Sequence, residues 1–285
     1  MSMVDVIDGA SYPRLDPIAC PLCGQVNRPR PIGARFGMLT SVAECAPCRL
    51  AYQTPRPSED ASRAYMNWRW SSGDRYVTDS ESKRSAAREK LVHVQSVRPA
   101  PGRLLDFGAG SGVFVRASLD GGWDAVGVEQ SESAIARAKE YYGVTLHERI
   151  PDECFDVITM WDVVEHLRDP IAVLRQLHDR LTRGGVLFME TGNYENWRRL
   201  MEGDRWGLYL LDHHFYFTPH SLETATTRAG FGSFRVLDVD HSAPSLRRVL
   251  TRPRWALRAW RAYFGARKMW PGHGDINVML VVAQA

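Results

Sequence analysis

A glycine-rich stretch in the middle of the chain has the composition of a nucleotide-binding loop. An apolar run ends at Asp106-Phe107, and glycines follow at positions 108, 110 and 112 before a helical pattern begins at Val113. Glycine lets the backbone turn sharply and approach a ligand closely, and the first turn of a helix offers unpaired N–H groups. The next predicted strand ends at Glu129, 21 residues after Gly108, where a carboxylate can accept both hydroxyl groups of a ribose. This pattern predicts a site for a nucleoside-containing ligand.

The spacing of the glycines separates two classes of such ligand. A dinucleotide-binding loop reads Gly-x-Gly-x-x-Gly and would need glycine at position 113, which is valine. The chain instead has Asp-x-Gly-x-Gly-x-Gly, in which Asp106 would repel a pyrophosphate but suits a ligand that carries ammonium and sulfonium groups. A plain glycine-rich turn without a ligand is the structural alternative, and the position of Glu129 argues against it.

Four of the five cysteines form two Cys-x-x-Cys pairs. The pairs are Cys20 with Cys23 and Cys45 with Cys48, separated by 21 residues. Two such pairs supply the four thiolates of a tetrahedral zinc site, and a closed site of this kind stabilises a fold rather than catalyses. Two disulfides or redox pairs are the alternatives, which a cytoplasmic location disfavours. Cys154 stands beside an apolar strand and is predicted to be a core residue.

Strands and helices alternate from position 103 onwards, which is typical of βαβ units around a parallel sheet. We predict a zinc-ribbon-like unit over residues 1–56, a helical linker or cap over 57–100 and an α/β domain over 101–285. A helix is predicted over Pro170–Leu181, capped by Asp169 and ended by Gly184-Gly185. The predicted strands are Leu104–Phe107, Ala125–Glu129, Phe155–Met160, Val186–Met189, Phe234–Val239 and Ile276–Val282.

A set of motifs resembles class I S-adenosylmethionine (SAM)-dependent methyltransferases. The motifs, in order, are residues 106–112, 127–129, 155–158, 162–167 and 184–185. The resemblance implies a Rossmann-like seven-stranded sheet, mostly parallel with one antiparallel strand near its end and with helices on both faces. It also implies that SAM lies over the carboxyl ends of the first strands. The cofactor contacts that it implies are Asp106, Gly108, Ala109, Gly110, Gly112, Glu129 for the ribose, Gln130 and Glu148 for the adenine, Trp161 and Asp162.

The arrangement of the flanking regions resembles a bacterial subgroup of these enzymes with an N-terminal four-cysteine zinc ribbon. The cysteine unit ends in Pro55-Arg56-Pro57, and a late segment reads Asp212-His213-His214-Phe215. Such enzymes are often associated with sugars, surface glycans and natural products. The subgroup usually has glycine where this chain has Arg49.

Methyl transfer to oxygen requires alignment and usually a general base. His213 and His214 lie in residues 193–220, predicted to cover the acceptor, and are the first candidates. His166 and Asp162 follow the predicted strand Phe155–Met160 and are further candidates. Asp162 and Glu165 also have the spacing of a helix capping box. A metal held by Asp162, Glu165 and His166 is a further possibility, as in some quinone-type methyltransferases.

A basic and aromatic segment spans residues 241–274. It carries eight Lys or Arg residues and no Asp or Glu, although the whole chain has a net charge of only +3. Such a segment can contact an anionic membrane surface, hold a phosphorylated acceptor or pack on the sheet with its arginines in solvent.

The 285 residues, 44% hydrophobic and 24% charged, exclude a disordered chain. No secretory signal or membrane span is evident, so we expect a cytoplasmic enzyme, with peripheral contact at the inner face of the membrane through residues 241–274. The prediction is an enzyme that methylates a hydroxyl of a sugar, glycolipid or secondary metabolite. An RNA methyltransferase that grips nucleic acid through the ribbon and the basic segment, and a non-catalytic zinc-dependent adaptor, are the alternatives.

Overall fold

The computed structural model describes residues 15–35, 38–64, 79–237 and 278–285. The strands are β1 Leu15–Asp16, β2 Arg30–Arg35, β3 Met38–Cys45, β4 Leu50–Gln53, β5 Arg56–Pro57, β6 Arg103–Phe107, β7 Asp124–Val128, β8 Leu146–His147, β9 Phe155–Trp161, β10 Leu181–Gly192, β11 Phe215–Tyr216, β12 Ser233–Leu237 and β13 Val278–Gln284. The helices are α1 Glu81–Val97, α2 Val113–Asp120, α3 Glu132–Tyr142, α4 Pro170–His178, α5 Trp197–Glu202 and α6 Pro219–Ala229. Residues 164–166 and 203–205 form 3₁₀ turns.

A seven-stranded sheet forms the centre of the α/β part, in the order β12-β13-β10-β9-β6-β7-β8. Strands β8, β7, β6, β9 and β10 run parallel, whereas β13 is antiparallel to both of its neighbours. The expected Rossmann-like methyltransferase sheet is therefore confirmed. Because the parallel strands point the same way, the residues that follow β6, β7, β9 and β10 meet at one edge of the sheet.

Helices cover both faces of this sheet, as predicted. On one face, α1 buries Ala87, Leu91 and Val94, residues spaced to share one side of a helix, against side chains such as Leu104 and Phe188. On the other face, α4 and α6 bury Leu174 and Leu222 with their neighbours. The alternation of side chains along each strand therefore decides which helix layer a residue meets.

A second, four-stranded sheet has the order β11-β4-β3-β2, and Cys45 ends its strand β3. Its fourth strand comes from far along the chain, because β11 pairs antiparallel with β4 through Phe215 opposite Tyr52 and Tyr216 opposite Ala51. The N-terminal unit is thus completed by the segment that the sequence predicts to cover the acceptor.

One predicted helix boundary is wrong. Helix α4 ends at His178 rather than Leu181, and Gly184-Gly185 lie inside β10 instead of ending the helix. Leu181 keeps the helical spacing but pairs with Phe155, and the register of β10 shifts between Leu181 and Val186. A Cβ on Gly185 would lie 2.9 Å from the carbonyl oxygen of Thr182 and 3.1 Å from that of Phe155, so this irregular stretch requires glycine.

The prediction for Cys154 is also wrong, because this residue is exposed. It ends the connection before β9, and burial begins with the next residue, Phe155. The predicted basic segment over 241–274 lies outside the described residues. Within the described ranges, no helix combines the length and the apolar composition required to cross a membrane.

Candidate active site

The glycine loop connects β6 to α2 at the carboxyl edge of the large sheet. Gly108, Gly110 and Gly112 all have positive φ angles, of 78°, 53° and 76°, which L side chains rarely adopt. The backbone N–H groups of Gly108 and Ala109 both donate to the carbonyl oxygen of Val128 at 2.9 Å, which ties the loop to the end of β7. The alternating glycines therefore reflect alternating left-handed backbone positions.

Glu129 lies directly against this loop. Its carboxylate accepts hydrogen bonds from the backbone N–H groups of Gly110 at 2.9 Å, Gln130 at 2.8 Å and Ser131 at 2.9 Å. Three donors hold the carboxylate just beyond the end of β7. Glu129, Gly110 and Gln130 are thus brought together, as predicted cofactor contacts should be.

Glu148 follows β8, the neighbour of β7 at the edge of the sheet. It is exposed, and the residue before it, His147, accepts a backbone hydrogen bond from Glu129 N–H at 2.9 Å. The predicted adenine contacts Gln130 and Glu148 therefore follow the ends of two adjacent strands, β7 and β8.

Asp106 lies beneath the loop. Its side chain is buried, and the hydroxyl of Thr159 donates to it at 2.7 Å. Burial raises the pKa of Asp106 to about 7, although the Thr159 bond and the positive charge of Lys90 act in the opposite direction. Asp106 thus links β6 to β9 under the site.

Trp161 is the last residue of β9 and Asp162 follows it, so both lie at the carboxyl edge of the large sheet. Asp162 has a φ of 55°, and its N–H donates to the carbonyl oxygen of Glu190 at 2.9 Å. The Trp161 ring packs edge-on against Phe114 with centroids 5.0 Å apart. Its indole N–H is buried and has no hydrogen-bond partner within the described part of the chain.

An ion pair absent from the sequence-based predictions completes this side of the site. The ammonium group of Lys90 lies 2.8 Å from the carboxylate of Glu190 and 4.7 Å from the centre of the Trp161 ring. Burial opposes the charge on Lys90, but the carboxylates of Glu190, Asp162 and Asp106 outweigh it and raise the pKa of Lys90. Lys90 and Glu190 line a cavity of about 220 Å³ with Ala86, Glu89, His93 and Val278.

The capping-box interpretation of Asp162 and Glu165 is wrong. The 3₁₀ turn over Val164–His166 follows Val163 and has no side-chain cap. Glu165 is buried instead and accepts a hydrogen bond from the Thr191 hydroxyl at 2.8 Å. Burial raises the pKa of Glu165 to about 7, with a smaller contribution from Asp162.

His166 is held in one orientation. Its Nδ1 lies 2.7 Å from the backbone carbonyl oxygen of Asp212, which can only accept, so Nδ1 carries the proton and Nε2 is the basic nitrogen. The Asp212 carboxylate lies 3.6 Å from the same Nδ1. The His213 ring packs edge-on at a centroid distance of 4.7 Å. Ligand atoms of Glu165, His166 and His213, rather than of Asp162, lie within 4.8 Å of one another.

His214 points away from this cluster towards the cysteine unit. It is buried, and its Nδ1–H donates to the side-chain oxygen of Gln53 at 3.3 Å. Burial, together with the nearby charge of Arg56, lowers the pKa of His214 to about 3. His214 is therefore neutral at physiological pH.

The four paired cysteines converge. The sulfur atoms of Cys20, Cys23, Cys45 and Cys48 all lie within 4.8 Å of one another, and those of Cys23 and Cys45 are 3.5 Å apart. Burial raises the pKa of Cys20 to about 11, whereas the backbone N–H of Gln25 lowers that of Cys23 to about 7.

Residue 49 follows the second cysteine pair. Arg49 has a φ of 52°, in the left-handed region that favours glycine. The arginine therefore adopts a backbone conformation in which glycine would be less strained.

Four functional residues were missed from the sequence: Lys90, Glu190, Asp212 and Gln53. Lys90 flanks the apolar side of α1, and Glu190 follows the apolar run Val186–Met189 within β10, which are weak signals for a buried pair. Asp212 acts partly through its backbone, and a backbone contact leaves no mark on a side-chain pattern.

Comparison with known proteins agrees with this geometry. Residues 80–233 match the family model described as a methyltransferase domain. A tRNA U34 carboxymethyltransferase from Alteromonas mediterranea is 27% identical over 77% of this chain and 72% of its own length. A ubiquinone biosynthesis O-methyltransferase from Bradyrhizobium is 35% identical over 43% of this chain, which spans only 51% of that relative.

A solved SAM-dependent methyltransferase from Archaeoglobus fulgidus shares the fold. The TM-score is 0.53 at 16% sequence identity, over 71% of this chain and 94% of the other. The family model covers more than half of the chain. The chain therefore belongs to the methyltransferase domain family and is a SAM-dependent methyltransferase.

Proposed function

We propose that this enzyme methylates a hydroxyl oxygen of a small organic acceptor, such as a sugar, glycolipid or other secondary metabolite, with His166 as the general base. One observation carries the proposal, the 2.7 Å contact between His166 Nδ1 and the carbonyl oxygen of Asp212. This contact fixes the tautomer and leaves Nε2 to receive a proton.

SAM would lie along the glycine loop, with the residues at the strand ends around it. Its ribose would bind Glu129, its adenine Gln130 and Glu148, and its methionine part the Asp106 side of the loop. Two observations suit this ligand. The buried indole N–H of Trp161 lacks a partner among the described residues. The three loop glycines have no Cβ, so a ligand can approach their backbone closely. When bound, SAM supplies an electrophilic methyl group. The remaining contacts would be Gly108, Ala109, Gly110, Gly112 and Asp162.

The chain's own contribution to the reaction is alignment and proton removal. An acceptor hydroxyl within reach of His166 Nε2 would transfer its proton to the ring as the oxygen becomes nucleophilic. The carbonyl and carboxylate of Asp212, 2.7 Å and 3.6 Å from Nδ1, would then stabilise the imidazolium. His166 is the most exposed member of this group, with 22% of its side chain accessible.

His213 and His214 are less suited to this role. His214 is 2% exposed, and its pKa of about 3 makes it a very weak base at neutral pH. His213 is 7% exposed and packs against the edge of His166, so it would shape the site and serve as the second candidate base.

The name of the Bradyrhizobium relative, a ubiquinone biosynthesis O-methyltransferase, also favours an oxygen acceptor. A second candidate function is alkylation of RNA, favoured by the relative named tRNA U34 carboxymethyltransferase. We rank methylation of a hydroxyl first because this reaction requires loss of the hydroxyl proton, which Nε2 of His166 can accept.

We further propose that Cys20, Cys23, Cys45 and Cys48 hold a structural zinc ion. Four thiolates around one ion at about 2.3 Å place their sulfur atoms just under 4 Å apart. The observed cluster, within 4.8 Å, fits that arrangement. The membrane-surface contact predicted for residues 241–274 stays a prediction.

The proposal is tested with methyl-labelled SAM and separated glycan, lipid, phenolic and RNA fractions of a bacterial extract. Label in a small-molecule or glycan fraction, lost in His166→Gln with unchanged affinity for S-adenosylhomocysteine, supports it. Label in RNA alone would select the second candidate. Full turnover by His166→Gln would exclude His166 as the base, and His213→Gln then becomes the decisive variant.

A further inference from the structure

The cysteine unit reaches the proposed catalytic base through one buried side chain, Gln53. Gln53 ends β4 and is 2% exposed. Its backbone N–H donates to the carbonyl oxygen of His214 at 2.9 Å, and its side-chain oxygen accepts from His214 Nδ1–H at 3.3 Å. One residue of the N-terminal unit therefore holds both the backbone and the ring of His214.

His214 in turn is fixed to the turn that carries the base. Its N–H donates to the carbonyl oxygen of Glu165 at 2.8 Å, and Glu165 directly precedes His166 in the chain. Two residues before His214, the carbonyl of Asp212 accepts from His166 Nδ1. The segment 212–214 thus lies between Gln53 on one side and residues 165–166 on the other.

The cysteine cluster supports the other end of this connection. Cys45 ends β3, and Cys48 lies two residues before β4, so the second cysteine turn is the hairpin that leads to Gln53. The two β4 residues before Gln53 pair with β11, which begins immediately after His214. A second bond, from the Thr218 hydroxyl to the Arg49 carbonyl at 3.0 Å, joins the same two segments.

We propose that Gln53 is a positioning residue for the methyl transfer, through which the cysteine unit holds the Asp212 carbonyl against His166. This inference rests on the proposed role of His166 as the base. It assigns the N-terminal unit a part in the reaction beyond stability, since loss of the Gln53 acceptor would let segment 212–214 shift and release the His166 tautomer.

Three replacements of Gln53 separate the effect of its hydrogen bond from the effect of its packing. Gln53→Leu removes the acceptor, Gln53→Glu keeps an acceptor oxygen, and Gln53→Asn shortens the side chain by one methylene. Gln176→Leu, on the exposed side of α4, is the matched control. All four are made in the full chain with S-adenosylhomocysteine bound.

Nitrogen-15 spectra of the histidine rings report the His166 tautomer, with its signal assigned through His166→Gln. In the wild type, Gln53→Glu and Gln176→Leu, Nδ1–H should dominate. In Gln53→Leu, the ratio of the Nδ1–H to the Nε2–H tautomer of His166 should fall roughly tenfold, as expected for one lost hydrogen bond. Gln53→Asn should show the same loss and replaces the leucine variant if that variant does not fold. Amide exchange at residues 212–217 should rise as well, whereas S-adenosylhomocysteine affinity should stay within about twofold, because no residue at the glycine loop changes.

An unchanged tautomer and unchanged amide exchange in both Gln53→Leu and Gln53→Asn would overturn the positioning role. A tautomer lost equally in Gln53→Glu would also overturn it, because the acceptor oxygen would then not matter. Neither result would touch the proposed base, which is tested separately by turnover of His166→Gln.

Discussion

The ammonium group of Lys90 on α1 lies 2.8 Å from the carboxylate of Glu190, where β10 approaches its end. Glu190 is 6% exposed. The carboxyl groups of Asp106 and Asp162 also raise the pKa of Lys90 and so favour its charged form. The Lys90 ammonium group on α1 thus interacts electrostatically with the carboxyl groups of Glu190, Asp162 and Asp106. Removal of that cation would take the Lys90 charge away from the buried carboxylate of Glu190.

Lys90→Met should therefore lower the free energy of unfolding by about 3 kcal/mol, since it keeps the length of the side chain but removes its charge. The double variant Lys90→Met with Glu190→Leu should regain most of this loss, because both charges are then absent. Urea unfolding of the two single variants and the double variant measures the coupling. Additive losses would show that the pair does not interact.

Glu129→Ala should weaken S-adenosylhomocysteine binding by about 10- to 100-fold, which corresponds to charge-assisted hydrogen bonds. Glu132→Ala is the matched control, an exposed glutamate three residues away in the first turn of α3. Calorimetry compares the two affinities. Equal affinity for both variants would mean that the ribose site lies elsewhere.

Gly112→Ala tests the close packing of the glycine loop. A Cβ at Gly112 would lie 2.5 Å from Val144 Cγ2, whereas a Cβ at Gly143 would meet nothing within 4 Å. Both glycines have positive φ, of 76° and 64°, so Gly143→Ala reports the backbone cost alone, about 1–2 kcal/mol.

Gly112→Ala should therefore cost about 1–3 kcal/mol more than Gly143→Ala in the free energy of unfolding. Chemical denaturation of both variants measures the difference. A similar cost for both would show that the packing between Gly112 and Val144 adjusts without strain.

His214 makes a defined contribution to the pH dependence of stability. Its folded-state pKa is about 3, against 6.5 as the ordinary value. Between these values the unfolded chain binds more protons at this site, so stability falls as the pH falls from 6.5 towards 3. His214→Gln cannot titrate and lacks this loss.

The advantage of the wild type over His214→Gln should hence shrink by about 1.4 kcal/mol for each pH unit below 6.5. Unfolding at pH 7.0, 5.5 and 4.5 measures it, and the titrations of Asp106 and Glu165 cancel in the difference. A constant gap across this range would mean that His214 takes up its proton in the folded state.

Zinc content tests the cysteine cluster. The wild type should carry about one zinc ion per chain, and Cys45→Ser should lose it together with several kcal/mol of stability. Cys154→Ser, at the exposed cysteine outside the cluster, should keep its zinc. Zinc retained by Cys45→Ser, or absent from the wild type, would contradict the assignment.

Much of the fold follows from local patterns. The glycines at 108, 110 and 112 predict the loop because each has a positive φ that its neighbours lack. Helix α6 spans Pro219–Ala229 because Thr218 caps it and Gly230 takes the left-handed position after it, both of which are local sequence signals. In α4 the same reasoning failed, because Leu181 continues the helical period although it already pairs with Phe155.

By itself, the sequence determined the sheet, the loop with Glu129 and the pairing of the cysteines, because each depends on residue types at short, regular spacings. Only the tertiary structure decided that His166 faces Asp212, that His214 faces Gln53 and that Lys90 meets Glu190. These contacts join residues 46, 161 and 100 positions apart. Their geometry depends on how strands and helices from different parts of the chain pack, and partly on backbone carbonyls, which every residue carries alike.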